Sequence, residues 1–204
     1  MIRFLSALIA LLLLPTVALA DPPAGPPDPN AAYVKTIRAA TWKYHDVEVA
    51  KKDGYVQMSG HVDNMGMHFS NLSIREFDLR RPNVLLYVKD GNRLRLVGVE
   101  WGFPNPNELK KAPFKGAETA VHEAACHYGD GSEIHLPSPD RCVRTHPQTG
   151  APFAAWHPDL HNIHAYVHYA SSAGVFKKEN GMLAAFAPKP PKVAQKTAPR
   201  TASK

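Results

Sequence analysis

The chain of 204 residues contains no G-x-S-x-G nucleophile elbow, no P-loop and no dinucleotide fingerprint. Those absences leave a nucleotide cofactor and serine-hydrolase chemistry without support. Cysteine is scarce, with only Cys126 and Cys142, so at most one intrachain disulfide can form. No apolar run is long enough to span a bilayer, because the one candidate, Phe4 to Leu14, is too short. The C-terminal stretch APKPPKVAQKTAPRTASK has five basic residues and no acid. Setting Arg3 and those five aside leaves 18 basic residues against 18 acidic ones. The basic balance therefore belongs to the tail, and a nucleic-acid footprint on a folded face is not supported. The tail offers a contact for anionic envelope polymers, or is simply solvated.

What is present at the start, MIRFLSALIALLLLPTVALA, reads as a secretory signal peptide cleaved after Ala20. Arg3 supplies the positive start and Ala18-Leu19-Ala20 the small-x-small site. No cysteine lies near it, which argues against a lipid anchor, and no stable membrane anchor is expected. The organisation that follows is a proline-rich linker over 21–30, a single domain over 31–186 and a disordered basic tail over 187–204. A periplasmic or secreted location is expected. In that oxidising setting Cys126 and Cys142 most simply pair, a thiolate metal site being the alternative. Such a staple is worth about 3 kcal/mol in the chain-entropy model.

Within the domain, Asn30 can cap an amphipathic helix running to about Lys52, with Tyr33, Ile37, Ala40, Tyr44 and Val47 on one stripe. His45 borders the stripe without an evident role. PNVLLYV and RLRLVGVEWGF flank Lys89-Asp90-Gly91-Asn92, a strong hairpin signal. Residues 104–155 read as one long irregular segment holding the cysteines, and NIHAYVHY as a further strand. The fold class expected is α+β, with the helix packed on a mainly antiparallel sheet and a long disulfide-stapled loop.

Four stretches could carry chemistry. A regular strand over 94–101 places Leu94, Leu96, Gly98 and Glu100 on one face and Val97, Val99 and Trp101 on the other. Glu100 then lies among apolar neighbours, where its charge needs a metal, a proton or a cation such as Arg95 or Arg75. SGHVDNMGMHF gathers Met58, His61, Met65, Met67 and His68, with Gly66 free to take an unusual backbone conformation. Thioether with imidazole suits copper, and imidazole with carboxylate suits zinc, although methionine is also an ordinary core filler. HEAACH has its histidines five apart, about 140° around a helix, and fails the zinc-protease pattern of histidines four apart. HPDLHNIHAYVH carries His157, His161, His164 and His168. A strand there puts His164 and His168 on one face but about 13 Å apart, so only one of them can enter a shared first shell.

The segments ATWKYHDVEVAKKDGY, MGMHF, PNVLLYV, LRLVGVEWGFP and IHAYVHYASSAGVF, in that order over residues 39–180, resemble a family of exported bacterial proteins of uncharacterised function. The resemblance places polar landmarks at His68, Glu100 and His164. It implies less for His168, which stands where the family has tryptophan, and nothing for His157 and His161. Three readings follow. A metal site of His68, Glu100 and His164, with His61, Met67, His161 and His168 as weaker candidates, would bind zinc or copper. A small-molecule module would use the same residues, walled by Trp101, Tyr166 and Phe69. A metal-free enzyme would use His164 and Glu100 as acid and base.

Overall fold

The Asp-Gly hairpin forms the spine of the fold. In the computed structural model, which describes residues 28–188, strands β3 (Val84–Asp90) and β4 (Arg93–Phe103) pair antiparallel across Gly91-Asn92. Gly91 holds φ at +61°, which a two-residue hairpin turn demands. The expected signal peptide, most of the proline-rich stretch over 21–30 and the tail beyond Pro188 lie outside the described residues. Among the described residues no helix is long and apolar enough to cross a membrane.

Strand β4 is not regular, and this corrects the face assignment expected from simple alternation. Leu86 pairs with Gly98 and Tyr87 with Leu96, leaving Val97 as an extra bulged residue. One inserted residue reverses the parity on either side. Leu94 and Leu96 therefore pack with Val99 and Trp101, while Val97 joins Val84 and Leu86 on the other face. Gly98 stays bare because a Cβ there would lie 2.7 Å from the Ala165 carbonyl oxygen.

The hairpin sits inside a six-stranded sheet with β1 (Val56–Gln57), β2 (Met67–Ser70), β5 (Ala120–His122) and β9 (Leu160–Ala165), in the order β1-β2-β3-β4-β9-β5. One face carries Phe69, Leu85, Tyr87, Val99, Trp101 and Ile163 in the main core. The N-terminal helical segment covers it, but not as one continuous helix. Helix α1 (Ala31–Thr41) gives way to a 3-10 turn over Trp42–His45 and then to α2 (Val47–Lys52). Asp46 breaks the run by adopting an extended conformation and capping α2, its carboxylate accepting from the Glu48 amide. The stripe still points inward through Ile37, Tyr44 and Ala50. Asn30 precedes α1 without a side-chain cap; its amide instead exchanges two hydrogen bonds with the Lys115 backbone.

The stretch expected to be irregular contains a second sheet. Strands β6 (Ala125–Tyr128), β7 (Glu133–His135) and β8 (Phe153–His157) pair antiparallel in the order β7-β6-β8. Cys126 and Cys142 form the expected disulfide and pack with Tyr128, Ile134, Leu136 and Trp156 on one face. The register pairs Ala125 with His135 and His157, and His127 with Glu133. Strand alternation thus sends His127, Glu133, His135 and His157 to the opposite face. The Gly60 amide donates to the Gly131 carbonyl, and a Cβ on Gly131 would meet the Gly60 amide nitrogen at 2.5 Å. That close glycine–glycine contact fastens the small sheet beside β2.

Candidate metal centre

Three strands deliver one polar side chain each to the face of the large sheet opposite the helix. Glu100 on β4 pairs directly with His164 on β9 and with Val84 on β3, while His68 on β2 pairs with Leu86. Directly paired residues share a face, so His68 and Glu100 converge over Val84 from either side of β3. Gly66, at φ +92°, lets the chain enter β2, since a Cβ there would lie 2.4 Å from the Tyr87 carbonyl oxygen.

The Glu100 Oε2 atom lies 3.3 Å from His68 Nε2 and 3.3 Å from His164 Nε2. One ligand atom from each of the three residues falls within 4.8 Å of the others; Glu100 and His164 are buried, and the His68 side chain is 12% exposed. Two ligands bound at about 2.0–2.1 Å in a tetrahedral site stand about 3.4 Å apart, which both His–Glu separations match. Among the described residues neither Glu100 Oε2 nor His164 Nε2 has a hydrogen-bond partner, although both are buried. The arginine alternative fails on geometry: Arg95 pairs with Asp90 at 3.2 Å, and the ion pairs of Glu100 among the described residues are with the two histidines.

Electrostatics set suitable protonation states. Burial lowers His68 to about 4, Glu100 pulling against it and His164 adding to it. Burial pushes the Glu100 carboxyl up, but the charges of His164, then His68 and His122, outweigh it and bring it to about 2. At neutral pH a buried carboxylate thus faces a neutral imidazole.

The orientation of His68 is set from behind. Its Nδ1 lies 3.0 Å from Ser59 Oγ, which also accepts from the His68 amide and donates to the Gly60 carbonyl. A hydroxyl has one proton. With that proton on the Gly60 carbonyl, Nδ1 must be the donor to Ser59, and Nε2 keeps a lone pair aimed at Glu100. Gly102 makes room for the carboxylate, since a Cβ there would stand 3.1 Å from Glu100 Oε1.

The weaker candidates scatter. Met67 belongs to the helix-side core, whereas Met58 and Met65 line the two cavities that border His68. His61 lies 3.7 Å from the Asp63 carboxylate. His161 alternates with Ile163 and so faces the helix side. His168 lies beyond the end of β9, its Nε2 2.8 Å from Thr41 Oγ1 and its Nδ1 3.2 Å from His45. The expectation that His164 and His168 share a face fails because pairing with β4 ends at Ala165. His45, expected to be idle, thereby gains a partner. Trp101 and Phe69 sit in the core on the opposite face and do not wall the site, while Tyr166 stacks beside His164 with rings nearly parallel.

A second polar cluster was not foreseen. His122 and His127, set aside because HEAACH fails as a helical motif, lie on consecutive strands of different sheets, β5 and β6, with ring centroids 6.2 Å apart. His157 comes within 4.9 Å of the first ring and 4.8 Å of the second. The signal was available: Ala125–Tyr128 and Glu133–His135 flank Asp130-Gly131, a second hairpin of the kind recognised at Asp90-Gly91. A scan of protein-family models and searches of curated proteins and solved structures returned no match for this chain.

Proposed function

We propose that this protein is an exported metal-binding protein in which His68, Glu100 and His164 hold one zinc or copper ion. The observation that carries the reading is the shared Glu100 Oε2, buried without a hydrogen-bond partner among the described residues and 3.3 Å from an imidazole nitrogen on either side. Burying a carboxylate without full compensation is costly, and a divalent cation supplies the compensation. Two imidazoles and one carboxylate leave an open position of the kind found in catalytic zinc sites. Met58 and Met65 beside the site keep copper in play, since thioethers favour Cu(I).

The competing readings draw less support. The cavity bordered by His68, His122, His164 and Asn162 measures about 230 Å³, below the 300 Å³ or so typical of small-molecule sites. A metal-free acid–base role would favour a glutamate pKa raised toward neutrality, and Glu100 is held down at about 2. Export is supported by the N-terminal sequence and the disulfide. The test is elemental analysis of the purified protein for zinc, copper and iron, with His164→Ala in parallel. About one ion in this site, lost in the variant, is expected. Wild-type protein that arrives without metal and refuses added zinc and copper rejects the reading.

A further inference from the structure

The four histidines of HPDLHNIHAYVH go to different places, and His157 goes to a cluster with no part in the Glu100 site. It meets His122 from β5, His127 from β6 and Glu133 from β7. Glu133 Oε2 lies 3.6 Å from His122 Nε2 and 3.6 Å from His127 Nδ1. The other carboxylate oxygen is held by His135 Nε2 at 3.4 Å. His157 Nδ1 is 2.6 Å from the Pro158 carbonyl, and a carbonyl can only accept. The Nδ1 proton is therefore fixed there, and His157 Nε2 presents a lone pair. That nitrogen, both nitrogens of His127 and Glu133 Oε2 are buried with no hydrogen-bond partner among the described residues. Four such atoms in one place are unusual, because buried polar atoms normally find partners.

We propose that His122, His127, His157 and Glu133 form a second transition-metal site adjoining the first, with three ligands on the disulfide-stapled sheet and His122 reaching across from β5 of the large sheet. Three imidazoles with a carboxylate suit zinc or copper(II). Glu133 Oε2 stands within a few tenths of an ångström of a tetrahedral ligand edge from His122 Nε2 and His127 Nδ1. The histidine nitrogens stand wider apart, since among the described residues only His68, Glu100 and His164 bring three ligand atoms within 4.8 Å of one another, so the side chains must draw together on binding. The His157–Pro158 contact orients its ligand from behind, as metal-binding histidines usually require. The two sites share a wall. His68, Glu100, His122, His127 and His157 all border one small cavity. The protein is thus a two-ion binder in which each sheet contributes one polar face.

Zinc stoichiometry of the chelator-stripped full protein, measured by equilibrium dialysis with elemental analysis, tests this. Wild type binds two ions. His127→Gln and Glu133→Gln each weaken one of them at least 100-fold and leave the other, while Glu100→Gln spares the ion that they affect. The Glu133 side chain is 27% exposed, so Glu133→Gln carries the test should His127→Gln misfold by circular dichroism. One ion per chain, lost in Glu100→Gln and unaffected by Glu133→Gln, overturns the second site alone. One ion lost in Glu133→Gln but kept in Glu100→Gln upholds it and overturns the Glu100-centred reading.

Discussion

The part Ser59 plays at the site turns on where one hydroxyl proton goes. Its Oγ accepts twice from His68 and donates once to Gly60, which fixes the imidazole tautomer. Partners that orient a metal-binding histidine from behind typically contribute 10–100-fold in metal affinity. Ser59→Ala should therefore weaken the Glu100-site ion by about that factor while the protein stays folded. Competition titration against a chromogenic chelator measures it. Unchanged affinity would mean that His68 needs no orienting partner or is not a ligand. Glu100 and His164 were legible from the sequence because each is an anomaly on a strand: a carboxylate in an apolar run, and a histidine amid β-prone residues. Ser59 was not, since no pattern in the sequence says which atom takes its proton.

Elements were legible where local chemistry dominates and illegible where parity depends on a single residue. The Asp90-Gly91 hairpin announces itself through turn residues, but nothing in RLRLVGVEWGF marks Val97 as the extra residue. Its position follows from the Gly98 backbone pressing against Ala165, a contact between strands distant in sequence. The small sheet was missed for a related reason: its strands are three to five residues long, too short for periodicity to register. Such short strands need the staple. Opening the Cys126–Cys142 loop, a separation of 16 residues, should cost about 3 kcal/mol in the chain-entropy model. Urea denaturation of Cys126→Ser/Cys142→Ser should show that loss, together with weaker binding of an ion at His127 and Glu133. An ion at Glu100 should be retained, because its three ligands sit on β2, β4 and β9 of the large sheet. Equal loss of both ions in the folded variant would mean that the sheets do not hold separate sites.

At the scale of the molecule, two sheets each bury an apolar face against other elements and turn a histidine-bearing face toward the other. Histidines so enclosed resist protonation, and this sets the pH response. Burial lowers His68 to about 4 from an ordinary 6.5 and lowers His127 and His157 too; outside that face, beside Thr41 and His45, it also brings His168 to about 4. Between those limits the unfolded chain binds protons that the folded chain refuses, so stability declines as pH falls from 6.5 to 4. Glu100 extends the trend: its carboxyl titrates near 2 when folded rather than near 4.5, so its contribution is present above 4.5 and lost as pH falls toward 2. His122 opposes it, because Glu133 raises its pKa, and its contribution is lost as pH rises through the folded value. Five lowered histidines, His45, His68, His127, His157 and His168, against one raised one leave a net loss in acid. For His68 alone the shift corresponds to on the order of 3 kcal/mol. The metal-free protein should therefore lose Tm steadily between pH 7 and pH 4.5. Bound zinc competes with protons for the imidazoles, so it should raise Tm most near pH 7 and progressively less as protons displace it. Thermal melts followed by circular dichroism, with and without zinc, measure both curves. A metal-free Tm that is flat from pH 7 to 4.5 would show that these imidazoles protonate freely in the folded state and that the enclosed face is open to water.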